Sequence, residues 1–256
     1  MLSKNQIKFI HSLKLKKYRD LHSQFMAEGT KLVMDLVESN YHVKEVFAVK
    51  EWIVEHAERL RAVGIILTEV TDEELSRITA LSSPSPVSAL CSIPEREAII
   101  TVPRQGLTLA LDEIKDPGNL GTIIRIADWF GIRNIICSHG SVDLYNPKVV
   151  QSTMGSIARV NVIYTSLPEI LSNLETNVKV YGTFLTGENI YKADLENDGI
   201  IILGNESAGI SLEVKQFVTD KIYIPSFDVT GHAESLNVSM AAAVVCSEFR
   251  RRTITE

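Results

Sequence analysis

The second half of the chain alternates apolar runs typical of β-strands with stretches of helical periodicity, and this alternation restricts the fold more than any other feature. Six apolar runs begin at residues 107, 134, 159, 179, 199 and 221: LTLAL, NIIC, RVNVIY, KVYGTF, GIIILG and KIYI. Helical periodicity covers Leu120 to Phe130, the region around Asn146 to Met154, the residues after Pro168, and a long final stretch. Because strand and helix alternate, the sequence predicts a parallel sheet with helices on both faces.

The first part of the chain has a smaller α/β pattern. From Gln24 to Ser92, β-rich runs such as VKEVFAVK alternate with helical stretches such as TKLVMDLVESN. A segment with two prolines and mixed charge, SIPEREAIITVPRQG, follows before the strand at Leu107. A chain of 256 residues is long enough for two ordinary domains. We therefore predict domains at 1–95 and 106–256, with the boundary between 93 and 106.

Composition limits the class of protein. The chain is 45% hydrophobic and 23% charged, as globular proteins are. No apolar run approaches the roughly 20 residues of a membrane span, and the N-terminus lacks the apolar centre of a signal peptide, so we expect a cytoplasmic protein with no membrane partner. The three cysteines, Cys91, Cys137 and Cys246, are widely spaced in apolar contexts. This spacing predicts buried reduced thiols and no metal site.

The distribution of charge is uneven. A net charge of −6 argues weakly against nucleic acid as a partner. Six basic residues nevertheless precede the first acidic one, and three more close the chain: Lys4, Lys8, Lys14, Lys16, Lys17, Arg19, and Arg250, Arg251, Arg252. From charge alone, these patches are either solvated termini or contacts for phosphate.

Three polar loops follow predicted strands, at the sheet edge where open parallel sheets bind ligands. Their sequences are DEIKDPGNLG, GNESAGI and PSFDVTGHAESLN. GNESAG has the glycine spacing of a P-loop, but Ile210 stands where the lysine is needed. No G-x-G-x-x-G follows a strand, and Ser207 lacks the glycines of a nucleophile elbow, which disfavours hydride transfer and serine hydrolysis. HAE at 232–234 has no P-C-x-x-C to complete a zinc site, so we interpret His232 as a loop residue.

Five segments resemble, in order, motifs of the SpoU (TrmH-like) branch of the SPOUT RNA methyltransferases. They are FMAEGTKLV (25–33), DPGNLGTIIRIADWFG (116–131), NPKVVQSTMGSIARV (146–160), IILGNESAGI (201–210) and IPSFDVTGHAESLNVSMAAAV (224–244). The likeness covers nearly the whole chain. It implies transfer of a methyl group from S-adenosylmethionine to a ribose 2'-hydroxyl of structural RNA, hence RNA and not DNA, with rRNA favoured over tRNA because of the separate N-terminal domain.

The resemblance also implies an architecture. Residues 106–256 would form a SpoU-type methyltransferase domain, a parallel sheet with a trefoil knot whose crossing loops hold the cofactor. Residues 1–95 would form a smaller α/β RNA substrate-binding domain, with its basic N-terminal segment on phosphates. A homodimer is implied, with the cofactor site near the subunit interface.

The same resemblance assigns catalytic roles to five residues: Arg125, Asn119, Glu206, Ser235 and Asn237. An apolar stripe on the predicted helix turns Arg125 away from the core. Arg125 is then either an ordinary solvated arginine or, as the resemblance implies, a residue that binds an RNA phosphate and helps to activate the hydroxyl. Asn119 precedes a predicted helix and could cap it, serve catalysis, or do both. Glu206 could cap the following helix or, as the resemblance implies, orient Asn119 or Arg125.

Eight residues are assigned to the cofactor: Thr183, Leu203, Gly204, Asn205, Gly209, Ile224, Pro225 and Leu236. The two glycines let a backbone approach a flat ligand closely. In AESLNVSMAAA, Ser235 and Asn237 occupy alternate positions, so both would face the reaction centre. Leu236 between them would lie against the cofactor, and Ser239 would start the final helix. The small residues of that helix predict close packing against another backbone, with an ordinary alanine-rich core helix as the alternative.

Two other functions stay open at this point. A non-catalytic RNA-binding paralogue would be expected to lose Arg125, Asn119 or Asn237, and all three are present. An unrelated nucleotide-binding α/β enzyme would be supported by NAD or ATP bound to the purified protein.

Overall fold

The computed structural model describes residues 2–95, 106–228 and 235–253, so the predicted domain boundary and His232 lie outside the described residues. The chain forms two compact units. The first contains the described residues up to 95 together with Asp143–Arg159, and the second contains 106–142 and the described residues from 160 onward. The sequence had placed 143–159 with the second half of the chain, because the segment lies between two strands of the large sheet. The functions of the two domains stay a prediction.

The first unit is built on a four-stranded sheet in the order β1-β4-β2-β3, in which β2 and β3 are parallel and the other pairs antiparallel. Its strands are β1 Gln24–Glu28, β2 Val43–Ala48, β3 Ile66–Glu69 and β4 Val87–Ser92, and its helices are α1 Lys4–Ser12, α2 Lys16–His22, α3 Thr30–Val37, α4 Lys50–Ala62 and α5 Asp72–Ile78. β4 directly follows the punctuated segment LSSPSP, and every residue from Val87 to Cys91 is buried.

The second unit contains a six-stranded sheet, entirely parallel, in the order β10-β8-β9-β5-β6-β7. The elements in chain order are β5 Leu107–Leu111, α6 Pro117–Trp129, β6 Asn134–Ser138, α7 Pro147–Ser152 (part of the first unit), β7 Asn161–Thr165, α8 Leu167–Ser172, β8 Val180–Asn189, β9 Gly199–Leu203, α9 Leu212–Lys215, β10 Asp220–Tyr223 and α10 Val238–Arg251. The predicted parallel sheet is confirmed. The alternation fails once, since no helix lies between β8 and β9.

The strand order places two loops side by side. After β5 the chain adds β6 and β7 on one side, and β9 later fills the place on the other side of β5. All residues of β5 and β9 are buried, which accounts for their uninterrupted apolar sequences. The carboxyl ends of β5 and β9 are therefore neighbours at the point where strand order reverses, the usual ligand position in such sheets.

An ion pair holds the segment after β6 in the first unit. The Arg19 guanidinium, whose side chain is 3% exposed, donates to Asp143 Oδ2 from Nη2 at 2.6 Å and from Nε at 3.2 Å. Its Nη1 donates to the carbonyls of Leu13 and Lys14 at 2.8 and 2.9 Å. The expectation that Arg19 belongs to an RNA-facing patch is therefore wrong, because the side chain is buried and its donors are occupied.

A second anchor lies on α3. Asp35 accepts hydrogen bonds from Lys31 at 2.9 Å and Arg159 at 3.0 Å. Burial raises the pKa of Asp35, but the bonds from Lys31 and Arg159 outweigh it and hold the pKa below its usual value. The tight turn before Arg159 requires Gly155, since a Cβ there would meet the Asp35 carboxylate at 2.0 Å.

The C-terminal arginines also have internal partners. Glu248 is buried and pairs with Arg251 at 2.8 Å and Arg252 at 3.2 Å, and the hydrogen bond from Arg251 is the main cause of its lowered pKa. Arg250 donates to the carbonyl of Phe130, at the end of α6, at 2.7 Å. Each of Arg250–Arg252 therefore has a partner within the second unit, while the Arg251 side chain stays 64% exposed.

Three further predictions concern cysteines, metals and the knot. Cys91, Cys137 and Cys246 are free and buried as expected, and burial raises the pKa of the Cys246 thiol to about 12. Across the described ranges, no cluster of acidic, histidine or cysteine side chains could hold a metal, and no helix could cross a bilayer. The knot stays a prediction, because residues 229–234 of the third loop lie outside the described residues.

Candidate active site

The first loop of the site is shaped by the start of α6. Asp116 is the N-cap residue, and its Oδ1 accepts from the backbone N–H of Asn119 at 2.9 Å. Pro117 occupies the first helical position, which lacks a hydrogen-bond partner for an N–H in any case. The capping function that the sequence left open for Asn119 therefore belongs to Asp116, and the Asn119 side chain is available for other contacts.

The exposed face of α6 carries Arg125. The four residues of the predicted stripe are all buried: Leu120, Ile123, Ile124 and Ala127. Arg125 is exposed, and no described residue forms a hydrogen bond or ion pair with its side chain. The guanidinium is free to bind a ligand.

The second loop follows β9 and holds Glu206 at its tip. Asn205 and Gly209 exchange backbone hydrogen bonds of 3.0 and 2.9 Å, closing the loop. The Asn205 side chain donates to the Glu113 carbonyl at 2.8 Å and accepts from the N–H groups of Ser207 and Ala208. Asn205, assigned from the resemblance to the cofactor, uses its side chain to shape the loop that presents Glu206.

Glycine is suited to positions 204 and 209 of this loop for two different reasons. A Cβ at Gly204 would lie 2.3 Å from the Gly209 carbonyl carbon, so Gly204 permits the loop to close on itself. Gly209 adopts φ +69°, a conformation that glycine enters at no steric cost, and nothing lies within 4 Å of where its Cβ would be. Open space at Gly209 leaves room for a ligand at the strand edge.

The third loop ends at the N-terminus of α10. Asn237 is the N-cap residue of this helix, and its Oδ1 accepts from the backbone N–H groups of Ser239 at 2.9 Å and Met240 at 3.4 Å. The Ser239 hydroxyl donates to the same Oδ1 at 2.6 Å. Three donors on one side fix the Asn237 amide with its Nδ2 pointing away from the helix.

These three loops meet through two hydrogen bonds. Asn237 Nδ2 donates to Asn119 Oδ1 at 3.1 Å, and Asn119 Nδ2 donates to Glu206 Oε1 at 2.6 Å. The structure thus brings together three of the five residues assigned to catalysis. Arg125 lies further along α6, and Ser235 is exposed two residues before Asn237. We call Asn119, Glu206 and Asn237 the amide–carboxylate cluster.

The residues assigned to the cofactor lie at the same edge of the sheet. Thr183 lies within β8, one residue past its last pair with β9, and donates to the Ile202 carbonyl at 2.9 Å. Leu203 is buried at the end of β9, while Ile224 and Pro225 follow β10 and are half-buried. Leu236 is 54% exposed. The half-buried Ile224 and Pro225 and the exposed Leu236 offer apolar surface.

Supporting residues escaped the sequence analysis. Asp112, 3% exposed, accepts from the backbone N–H of Ser211 at 2.8 Å and so joins the ends of β5 and the second loop. Asp116 could have been found, because an aspartate before proline is a frequent helix start. Ser239 was expected only to begin α10, and its bond to the Asn237 side chain depends on geometry that sequence does not show.

Comparison with known proteins bears on this geometry. The SpoU rRNA methylase family matches residues 106–247, and the MRM3-like substrate binding domain matches residues 4–89. The 23S rRNA (guanosine(2553)-2'-O)-methyltransferase RlmP of Bacillus subtilis strain 168 is 32% identical over 96% of this chain and 99% of its own.

Solved structures agree along the whole chain. A structure described as TrmH-family RNA methyltransferase, from Porphyromonas gingivalis, is 39% identical with a TM-score of 0.85, covering 98% of this chain and 99% of that one. An AdoMet-bound rRNA methyltransferase from Sinorhizobium meliloti has a TM-score of 0.87 at 29% identity, covering 100% of this chain and 97% of that one.

A buried parallel sheet with polar loops gathered at its switch point defines the second unit as a ligand-binding α/β domain. Its sequence then specifies the family: the chain belongs to the SpoU rRNA methylases. The resemblance of the five motifs is confirmed.

Proposed function

We propose that this protein transfers a methyl group from S-adenosylmethionine to a ribose 2'-hydroxyl of ribosomal RNA, in the cytoplasm. The observation that carries the proposal is the amide–carboxylate cluster, in which one residue from each of three family motifs meets at the switch point of the sheet. The RlmP relative is named for this reaction on 23S rRNA, and the S. meliloti structure for binding AdoMet. A non-catalytic paralogue is not supported, because the cluster is intact.

The residues at the strand edge fit S-adenosylmethionine. Ile224, after β10, provides apolar surface, while Thr183 within β8 and Leu203 at the end of β9 provide main-chain groups, which suits a flat adenine. When bound, this cofactor supplies a methyl group on a positively charged sulfur, ready for attack by an oxygen. The protein must then place the hydroxyl in line with that methyl and provide a route for its proton.

Two side chains, Glu206 and Arg125, are proposed to position the hydroxyl and accept its proton through the RNA. Glu206 Oε1 is taken by Asn119, which leaves Oε2 to accept from a donor of the RNA other than the attacking hydroxyl. A guanidinium is a poor base, so Arg125 acts by gripping an RNA phosphate and not as a base alone. The phosphate held by Arg125 is then placed to accept the proton of the attacking hydroxyl.

The test is methyl transfer to ribosomal RNA. Purified protein, S-adenosylmethionine with a labelled methyl group, and rRNA from a strain lacking this gene should give one labelled nucleotide that resists alkaline cleavage on its 3' side, as a 2'-O-methyl group requires. A label on a base, or tRNA labelled in preference to rRNA, would contradict the proposed reaction or the proposed substrate respectively.

The first unit is proposed to hold the RNA through its phosphates. A groove of ≈ 560 Å³ on the surface of α1 is lined by Lys4, Ile7, Lys8, His11, Ser12, Lys14 and Leu15. No carboxylate of the described residues pairs with Lys4 or Lys8, whereas Lys16 pairs with Asp20 at 3.1 Å. Lys4 and Lys8 are one helical turn apart, about 6 Å along the axis, so their charges reinforce each other. With Arg19 buried and Lys16 paired, the available lysines of the basic segment are Lys4, Lys8, Lys14 and Lys17, and the first three line the groove.

Replacing Lys4, Lys8 and Lys14 together with glutamine should weaken RNA binding and also flatten its salt dependence. Each lost phosphate contact lowers the slope of log K against log salt by about 0.7 to 0.9, so the triple variant should lose about two units. Titrations of an rRNA fragment at several salt concentrations measure the slope. The paired Lys16→Gln variant is the matched control, and an unchanged slope in the triple variant would exclude the α1 groove.

A homodimer is part of the proposal. Large apolar side chains are exposed on the two packed helices of the second unit, with Trp129 on α6 at 85% and Met240 on α10 at 56% exposure. Exposed apolar surface of this kind supports self-association. Light scattering should give twice the chain mass of 28.5 kDa. A monomer at micromolar concentration would contradict this part of the proposal.

A further inference from the structure

The hydrogen bonds of the amide–carboxylate cluster run in one direction. At one end, the backbone N–H groups of Ser239 and Met240 can only donate. At the other end, an ionised Glu206 carboxylate can only accept. Because both ends have fixed polarity, the amides of Asn119 and Asn237 between them each have one orientation that satisfies every bond.

The orientation of Asn237 depends most on a hydroxyl. Among the three donors to Asn237 Oδ1, the Ser239 hydroxyl is the closest at 2.6 Å, and the Met240 N–H is distant at 3.4 Å. Ser239 is 3% exposed, so water does not replace this bond readily. If the Asn237 amide turned over, its NH2 group would face backbone donors and its oxygen would face Asn119 Oδ1.

We propose that Ser239 is a positioning residue for methyl transfer. Its hydroxyl donates to Asn237 Oδ1 and so directs Asn237 Nδ2 to Asn119, which in turn directs Asn119 Nδ2 to Glu206. This arrangement keeps Glu206 in the orientation that leaves its second oxygen for the substrate. The inference rests on the proposed methyl transfer and adds Ser239 to the residues on which that reaction depends.

Two substitutions of Ser239 measure the effect of its hydroxyl. Ser239→Ala should lower the single-turnover rate about five- to tenfold, the loss of one buried hydrogen bond, with affinities for S-adenosylmethionine and RNA unchanged. Ser239→Cys keeps a weak donor of similar size and should recover part of the rate. Ser247→Ala, an exposed serine on the same helix, is the matched control and should retain the parental rate.

Measuring Ser239→Ala again in a protein that also carries Asn237→Asp separates a positioning role of Ser239 from a structural one. Asn237→Asp keeps an oxygen to cap α10 but loses the N–H that contacts Asn119. In that background Ser239→Ala should cause no further loss of rate, because the bond it controls is already absent. Equal losses in both backgrounds would mean that Ser239 stabilises α10 only, and would overturn the inference.

The outcomes distinguish this inference from the proposed function. If the parent protein methylates rRNA while folded Ser239→Ala keeps its full rate, the role of Ser239 is disproved and the function stands. If the parent transfers no methyl group to rRNA, the proposed function itself fails. Circular dichroism shows whether Ser239→Ala folds. If it does not fold, the rates of Ser239→Cys and Asn237→Asp are measured instead. The inference would be overturned if both of these variants transferred methyl groups at the parental rate.

Discussion

Arg125→Ala should lower the rate of methyl transfer at least about 100-fold, the lower range for losing proton-transfer assistance together with electrostatic positioning. The fold should be nearly unaffected, because Arg125 is exposed on α6 without a partner among the described residues, and alanine is a good helix former. Affinity for S-adenosylmethionine should also persist, since the proposed cofactor residues lie at the strand ends. Single-turnover kinetics at saturating cofactor and RNA is the measurement.

Two companion variants sharpen this prediction. Arg125→Lys should recover little activity, because an ammonium keeps the charge but not the planar two-pronged grip on phosphate. Arg133→Ala removes another exposed arginine, one that pairs with Asp128, and should leave the rate unchanged. If Arg125→Ala transferred methyl groups within a few-fold of the parent, Arg125 would be a solvated surface residue.

Asp143→Asn should destabilise the first unit by about 3 kcal/mol, the lower end of the cost of breaking a buried ion pair. The Arg19 side chain is 3% exposed, so removing the Asp143 carboxylate leaves a buried guanidinium without its counterion. The lower end applies because the Asp143 side chain is 19% exposed. Asparagine keeps the oxygen that accepts from the Tyr145 N–H, and its NH2 group replaces the oxygen that accepts from Arg19.

Tryptophan fluorescence during urea denaturation follows this unit. The chain has two tryptophans: Trp52 is buried in the first unit, while Trp129 of the second is 85% exposed before unfolding. The change in emission therefore reports mainly the first unit. Lys16→Gln breaks the surface pair with Asp20 and should cost less than about 1 kcal/mol. Equal, small losses for Asp143→Asn and Lys16→Gln would show that the Arg19 ion pair does not anchor 143–159.

Local patterns predicted the elements of the large sheet well. β5 and β9 are buried on both faces, and only uninterrupted apolar sequence satisfies such strands. The stripe on α6 correctly predicted that Arg125 faces outward, because a helix repeats every 3.6 residues. Family membership was also evident, since its motifs lie within short continuous segments.

The burial and the partners of the charged residues could not be predicted from such local patterns. Arg19 belongs to a run of basic residues, and its burial depends on Asp143, 124 positions away. Arg250 occurs in a similar run and contacts the end of α6, 120 positions away. Charge along a sequence indicates where a residue prefers water, but a partner brought close by folding reverses that preference.

The sequence by itself determined the parallel α/β class, the loops that carry the site and the family of the protein, because each depends on periodicity or on residues close together in the chain. The tertiary structure alone decided that 143–159 joins the first unit and that Asn119, Glu206 and Asn237 form one cluster. Asn119 meets side chains 87 and 118 positions away. Such contacts depend on the insertion of β9 beside β5, and strand order is set by the packing of the whole sheet.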